Sequence, residues 1–482
     1  MNRIIAILFV FSVSLLNIQC SDDDPVTLLP PPSKPGGEVI GKAQIWTTNT
    51  AGTQLLDKLP AVEIYGEALS TDPDLIIDPA EKYQEIEGFG AALTGSSAYL
   101  INALPSGKKS DLLKELFNPN TGIGISYLRM SIGASDFSLQ DFTYNDMPSG
   151  ETDAALDNFS LKEDEKNVIP VFKDILQVYP KIKIMGSPWS APAWMKTNGS
   201  IYGGSLKQEW YNTYAQYFVK YIENYASHGI KIDAITPQNE PLHQAQYPTM
   251  IMEAEEQVEF IKDHLGPLFQ SEGIETKIIA YDHNFDKPQY PITVLSDEEA
   301  YPYVDGSAFH AYAGDVSAMS QVHNAFPEKG LYFTEISGGE WATDFGENLK
   351  WNIKNIFIGT TRNWSKTALL WNLALDENSG PTNNGCQNCR GVVTIQSSGE
   401  IIYNEEFYAL AHFSKFVRPG ASRIASNQIS GGIYNVAFQN PDGTLALVIL
   451  NETTSNRSIN VQVGDKYLNI NSTANSVSTL VW

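Results

Sequence analysis

Residues 234–243 read AITPQNEPLH, a short apolar run that stops on Asn239, Glu240 and Pro241. Proline has no N–H to give to a sheet ladder, so a strand over residues 232–236 must end here and leave Glu240 on a loop at its carboxyl end. In a parallel barrel the carboxyl ends of the strands carry the chemistry. A lone loop glutamate is most often a solvated surface charge, so Glu240 means something only if a second group answers it.

Residues 331–341, LYFTEISGGEW, repeat the pattern. An apolar, aromatic and β-branched run ends on Glu335, and Ser337, Gly338 and Gly339 make the turn. Two acids, each closing a buried strand, suit glycoside hydrolysis, which needs two carboxyl groups flanking one bond.

Eight short apolar runs lie between residues 85 and 375, at 86–90, 125–130, 182–187, 232–236, 277–281, 307–310, 331–335 and 368–372. Between them, residues 108–117, 210–228 and 253–269 space their apolar side chains three or four apart, as amphipathic helices do. Alternating strand and helix predicts a parallel sheet, and eight strands predict a (β/α)8 TIM barrel. Glu240 then follows strand four and Glu335 ends strand seven, on opposite sides of the ring. After about residue 415 the pattern changes to short strands at 434–438, 445–450, 459–463 and 477–482, with the turn NPDG at 440–443. About 65 residues make a poor independent core, so the segment 39–78 is expected to add strands to this β-sandwich. The expected organisation is a signal peptide (1–19), a tether (20–38), N-terminal sandwich strands (39–80), a catalytic barrel (81–414) and the C-terminal sandwich (415–482).

The chain has 482 residues, 42% of them hydrophobic, and a formal net charge of −24. That charge disfavours nucleic acid and anionic lipid as partners, and a neutral polymer or small neutral substrate fits better. Nothing in the sequence calls for a cofactor or metal, and it identifies no protein partner.

At the amino terminus Arg3 precedes an apolar run over residues 4–16, too short to span a bilayer and read as an export signal. Cys20 follows, then SDDDPVTLLPPPSKPGG, which resembles a bacterial lipoprotein signal. Acylation of Cys20, a Pro- and Gly-rich tether and surface exposure on an outer membrane are the expectation, with contact to the membrane only through that lipid. A plain cleaved signal is the alternative. Cys386 and Cys389 are the remaining cysteines. In an exported protein a disulfide is favoured, against a zinc pair lacking two further ligands and a redox C-x-x-C lacking a following helix.

Eight motifs in order resemble glycoside hydrolase family 30: GFGAALT at 88, LRMSIGASDFS at 128, SPWSAPAWMKTNG at 187, QNEP at 238, FHAY at 309, FTEISGG at 333, WNLALDENSGP at 371 and AHFSKFVRPG at 411. The resemblance spans nearly the whole mature chain. It implies a barrel with a side β-sandwich and hydrolysis of β-linked glucosides with retention. Carried over by motif, Glu240 is the general acid/base and Glu335 the nucleophile. Asn239 would hold the sugar 2-hydroxyl, and Asp136 and Trp189 the outer hydroxyls. Arg129 would keep Glu335 ionised, His310 and Tyr312 would border the nucleophile, and Trp371 would face the sugar ring. Near-neutral activity further calls for a raised pKa at Glu240. Trp194, Tyr247 and Trp341 are weaker candidates for sugar platforms. Ala311 stands where glucosylceramidases of the lysosomal type carry an aromatic, whereas GCQNCRGVVT at 385 is similar to the endo-β-1,6-glucanase branch. The resemblance therefore favours β-1,6-glucan, or oligosaccharides of it, as the substrate. Glucosylceramide and a non-catalytic glycan-binding role are the alternatives.

Overall fold

The computed structural model describes residues 37–68 and 72–482. The readings for the signal, Cys20 and nearly all of the tether fall on residues 1–36, outside the described residues. Eight parallel strands close a barrel in sequence order: Gly88–Ala92, Tyr127–Ile132, Lys183–Pro188, Ala234–Ile235, Lys277–Asn284, Val304–His310, Gly330–Glu335 and Ser365–Leu370. Each overlaps one of the eight apolar runs. Strand four is only two residues long, because Pro237 follows it almost at once. The helix expected over 253–269 runs on to Glu272 through a widened turn at Ile261–Leu265. The wider turn sits where the Pro267 ring would otherwise collide with the carbonyl of Asp263.

Side chains alternate along a strand, so inward positions two residues apart stack in layers. The middle layer is apolar: Tyr127, Met185, Ala234, Ile279, Ala308, Tyr332 and Leu369, all essentially inaccessible. Below it buried Glu87 accepts from Lys183 (2.9 Å), Lys277 (2.7 Å) and the Tyr332 hydroxyl (3.0 Å), which closes the amino end. Two residues above it, on the carboxyl side, come Arg129, Ser187, Thr236, His310, Thr334 and Trp371. A polar layer therefore rests on an apolar floor, and the floor keeps water from reaching it from below.

Nine strands pair round the second domain, three of them N-terminal: Val39–Asn49, Asp57–Tyr65 and Leu75–Glu85. The third runs five residues past the expected boundary at 80, so the barrel begins after Glu85. It carries Pro79 through an irregular register against Ser422–Ser426, where no ladder bond is needed. Ser422–Ser426 and Lys466–Ser472 are strands the sequence reading overlooked. Leu445–Asn451 is buried at every position. Its Leu447 and Ile449 fill the sandwich, while Ala446, Val448 and Leu450 pack into the barrel's core cluster. A continuous apolar run is what a strand covered on both faces requires.

Candidate active site

Two backbone irregularities build the site. Strict alternation along strand five would turn Tyr281 inward and Asp282 outward. Instead the pairing with strand six slips between Tyr281 and His283, and both Tyr281 (φ 75°) and Asp282 (φ 67°) adopt left-handed backbone. The bulge delivers Asp282 into the barrel. A second slip between Phe333 and Glu335 in strand seven turns both Thr334 and Glu335 toward the mouth. Glu240 is itself left-handed (φ 43°), and its N–H is held by the Asp282 carbonyl at 3.0 Å. Such strain persists only where surrounding contacts over-determine it.

Arg129 is wholly buried and organises the centre. Its Nη1 donates to Glu335 Oε2 at 2.5 Å, and its Nη2 to Asn239 Oδ1 at 2.6 Å and Asp282 Oδ2 at 2.7 Å. Because Asn239 spends its oxygen on Arg129, its amide nitrogen is left to donate outward. Asp282 also accepts from Ser187 (2.7 Å), Thr236 (2.9 Å) and Thr334 (2.7 Å). The Tyr312 hydroxyl donates to Glu335 Oε1 at 2.9 Å. His310 sits between acids, with Nδ1 3.1 Å from Glu240 Oε1, Nε2 3.0 Å from Asp282 Oδ1 and Nε2 3.9 Å from Glu335. It therefore bonds to Glu240 and Asp282 and only borders the nucleophile candidate. Glu240, His310 and Glu335 each place one polar atom within 4.8 Å of the others. In that set both ring nitrogens of His310 are already engaged, Nδ1 with Glu240 and Nε2 with Asp282.

A cavity of about 360 Å³ opens over this centre, lined among others by Asp136, Glu240, Tyr247, Tyr312, Glu335 and Trp371. Trp189 and Trp371, 2% and 3% exposed, stack on each other at 5.1 Å, with the Arg129 guanidinium 5.0 Å from the first ring and 5.5 Å from the second. Trp194 packs edge-on against Trp210 and donates to the Asn145 carbonyl, and it is not among the residues lining the cavity. Cys386 and Cys389 are joined, with Cα atoms 5.6 Å apart, and both line the cavity. Gly338 and Gly339, just after Glu335, pair with Arg390 and Cys389, which ties this loop to the nucleophile candidate's strand. Gly385 packs so closely on Asp136 that a Cβ there would lie 2.6 Å from the Asp136 Cβ.

The charge pattern reverses one expectation. Burial opposes ionisation of Glu240, but the hydrogen bond and charge of His310, with His283 and His243 beyond, outweigh it and hold the carboxyl below its ordinary value. Burial alone would lower His310, yet Glu335, Asp282 and Glu240 raise it to about 9. The proton therefore rides on His310 and Glu240 is ionised, instead of Glu240 carrying a raised pKa. Glu335 is raised, chiefly by burial, with His310 and Arg129 pulling against it and Glu240 and Asp282 adding to it. Burial, then the charges of Glu335 and Glu240, push Asp136 well above the carboxylate range. Asp136 thus lies on the cavity wall as a half-buried acid whose Oδ1 is buried and unpaired, a fitting partner for sugar hydroxyls.

Asp282, His283 and His243 were not singled out from sequence. Asp282 had a signal: an acid directly after the apolar run 277–281, the pattern that marked Glu335.

Residues 86–417 match the glycosyl hydrolase family 30 TIM-barrel domain, and residues 420–480 its β-sandwich domain. An endo-1,6-β-D-glucanase of Aspergillus fumigatus is 36% identical over 91% of this chain and 94% of its own, and one of Neurospora crassa is 38% identical over 78% and 80%. The lysosomal acid glucosylceramidase of Mus musculus is 31% identical over 96% and 92%. Among solved structures, the endo-β1,6-glucanase BT3312 superposes with a TM-score of 0.86 at 37% identity, covering 92% of this chain and 99% of that one.

Proposed function

Because the chain belongs to glycosyl hydrolase family 30, we propose that it is a retaining endo-β-1,6-glucanase with Glu335 as nucleophile and Glu240 as acid/base. One observation carries the mechanism: oxygens of the two acids lie within 4.8 Å of each other. Retaining enzymes hold their carboxyl groups ~5–5.5 Å apart, whereas inversion needs room for a water at ~6.5–9.5 Å. The choice of linkage draws its support from the glucanase relatives and from Ala311, which leaves open the wall where an aromatic would stand.

Glu335, both oxygens held by Arg129 and Tyr312, attacks the anomeric carbon while the glycosidic oxygen takes a proton from Glu240 and leaves. Glu240, now ionised, accepts a proton from water, whose oxygen displaces Glu335 and restores the β-configuration. The proton for the first step already lies on the His310–Glu240 hydrogen bond. A neutral sugar that expels water from the cavity raises the cost of the Glu240 charge and draws that proton across to the acid. Asn239 and Asp136 hold hydroxyls, and Trp371 backs the ring.

An activated aryl β-glucoside separates the roles. Glu335→Gln should abolish turnover, while Glu240→Gln should form the intermediate, stall, and restart with azide to give β-glucosyl azide. Azide rescue of only the Glu335 variant, with an α-product, would exchange the two assignments. Release of short oligosaccharides from linear β-1,6-glucan, with β-1,4-glucan untouched, tests the linkage. Comparable rates on glucosylceramide would refute it.

We also propose surface anchoring through an acylated Cys20, supported by the short apolar run before it and the acidic, Pro-rich stretch after it. Cys20→Ala should release the protein from membranes, and retention there would rule out lipidation.

A further inference from the structure

A second cavity, about 750 Å³, adjoins the catalytic one and shares Tyr312, Ser337 and Trp341 with it. It runs from the mouth of the barrel along the helix formed by Phe345–Trp351 and Asn352–Ile358 to Glu452 of the sandwich. Asp344, Glu347, Trp351 and Asn355 recur three and four apart along this helix, so they share one face. The row covers about 16 Å at ~1.5 Å per residue. Trp341 is 57% and Trp351 43% exposed, large values for indoles.

Two ion pairs lie along the groove, Lys350 with Glu347 at 2.6 Å and Lys354 with Glu452 at 3.1 Å, while Asp344 caps the helix by accepting from the Glu347 N–H at 2.8 Å. A surface of exposed indoles among compensated charges and amides suits a neutral, hydroxyl-rich polymer, whose sugar rings present C–H faces to an aromatic. It suits an anion poorly, for want of free cations, and a lipid tail poorly, because the aliphatic lining is only Ala311, Ile336 and Ala342.

We propose that this groove holds the glucan chain where it continues beyond the sugar seated between Glu240 and Glu335, with Trp351 as a stacking platform and the sandwich supplying the far wall through Glu452. This rests on the reading of the site as a β-glucan hydrolase. It gives the second domain a part in binding substrate.

The test compares kcat/KM on linear β-1,6-glucan with kcat/KM on 4-nitrophenyl β-glucoside, which is too short to reach Trp351. In Trp351→Ala the ratio of the two should fall by about tenfold or more, and Trp351→Phe should restore most of it. A ratio unmoved by Trp351→Ala overturns the inference, and so does a fall that phenylalanine fails to reverse. A second measurement does not depend on Trp351 variants folding. Glu335→Gln protein should bind β-1,6-gluco-oligosaccharides more tightly as they lengthen from two to six units, and a flat series overturns the groove. If the wild type cuts another β-glucan and not the β-1,6 polymer, the linkage reading fails by itself. The ratio and the series are then taken on the glucan it does cut.

Discussion

Asp282→Asn removes one charge from the centre of the site and leaves its shape. The carboxylate takes three bonds on Oδ2, from Arg129, Ser187 and Thr236, and two on Oδ1, from His310 and Thr334. An amide must turn its NH2 toward one of these donor sets, and Arg129 loses a charge partner inside the protein. Breaking a buried pair in this way costs ~3–5 kcal/mol, a large share of the ~5–15 kcal/mol that holds a domain folded. The variant should therefore be assayed at a temperature where circular dichroism shows it native. The informative effect is on the proton. His310 titrates at about 9 because Glu335, Asp282 and Glu240 together overcome its burial. If His310 stores the proton that Glu240 delivers, kcat/KM should hold until the alkaline limb near that pH, since kcat/KM reports the free enzyme. Loss of Asp282 removes a hydrogen bond and a charge that favour the imidazolium, so the alkaline limb should move to lower pH by ~1–3 units. The assay is kcat/KM on linear β-1,6-glucan from pH 4 to about 10, where good leaving groups cannot bypass acid catalysis. A drop of equal size at every pH, with the alkaline limb in place, would refute the storage of the proton on His310.

His412 is buried between the hydroxyls of Thr48 and Thr479 where barrel meets sandwich, and burial lowers it to about 3. It stays neutral when folded and titrates near 6.5 when unfolded, so its stabilising effect is complete above 6.5 and fades as pH falls toward 3. Between pH 7 and 5 the loss is about 2 kcal/mol, and urea denaturation at both pH values should show that slope reduced in His412→Gln. Gly385→Ala puts a methyl against Asp136. The shifted wall should cost kcat/KM on the order of 10²-fold on every glucoside, with the melting temperature little changed. Reducing the Cys386–Cys389 bond opens a loop of sequence separation 3, too short to constrain the unfolded chain much. Melting should barely move while activity falls, and a large drop in melting temperature would mean the loop holds up more than the rim.

Much of the site could be read before any coordinates because its grammar is local. Pro241 breaks the chain directly after Glu240 and Gly338 does so three residues after Glu335, and Arg129 is a lone charge in an apolar strand, which a buried position tolerates only beside an anion. What stayed hidden depends on non-local geometry. Period-two alternation places Asp282 outside the barrel, and only the slip against strand six, with left-handed backbone at two successive residues, brings it in. Trp189 and Trp371 both follow barrel strands, and nothing in either motif says that the two indoles stack on each other. The proton at Glu240 was misjudged for the same reason: its main neighbour, His310, is 70 positions away in sequence. Once Asp282 is in place the charges explain why a third acid is needed beside the two that react. Asp282 helps hold the shared proton on His310, and when that proton passes to Glu240 the His310–Glu240 pair carries no charge. In the open, wet cavity that neutrality matters little, and Glu240 stays ionised. Once a sugar fills the cavity the dielectric falls and the Glu240 charge becomes costly. The neutral state, which is the one competent for general acid catalysis, is then the state favoured by substrate binding itself.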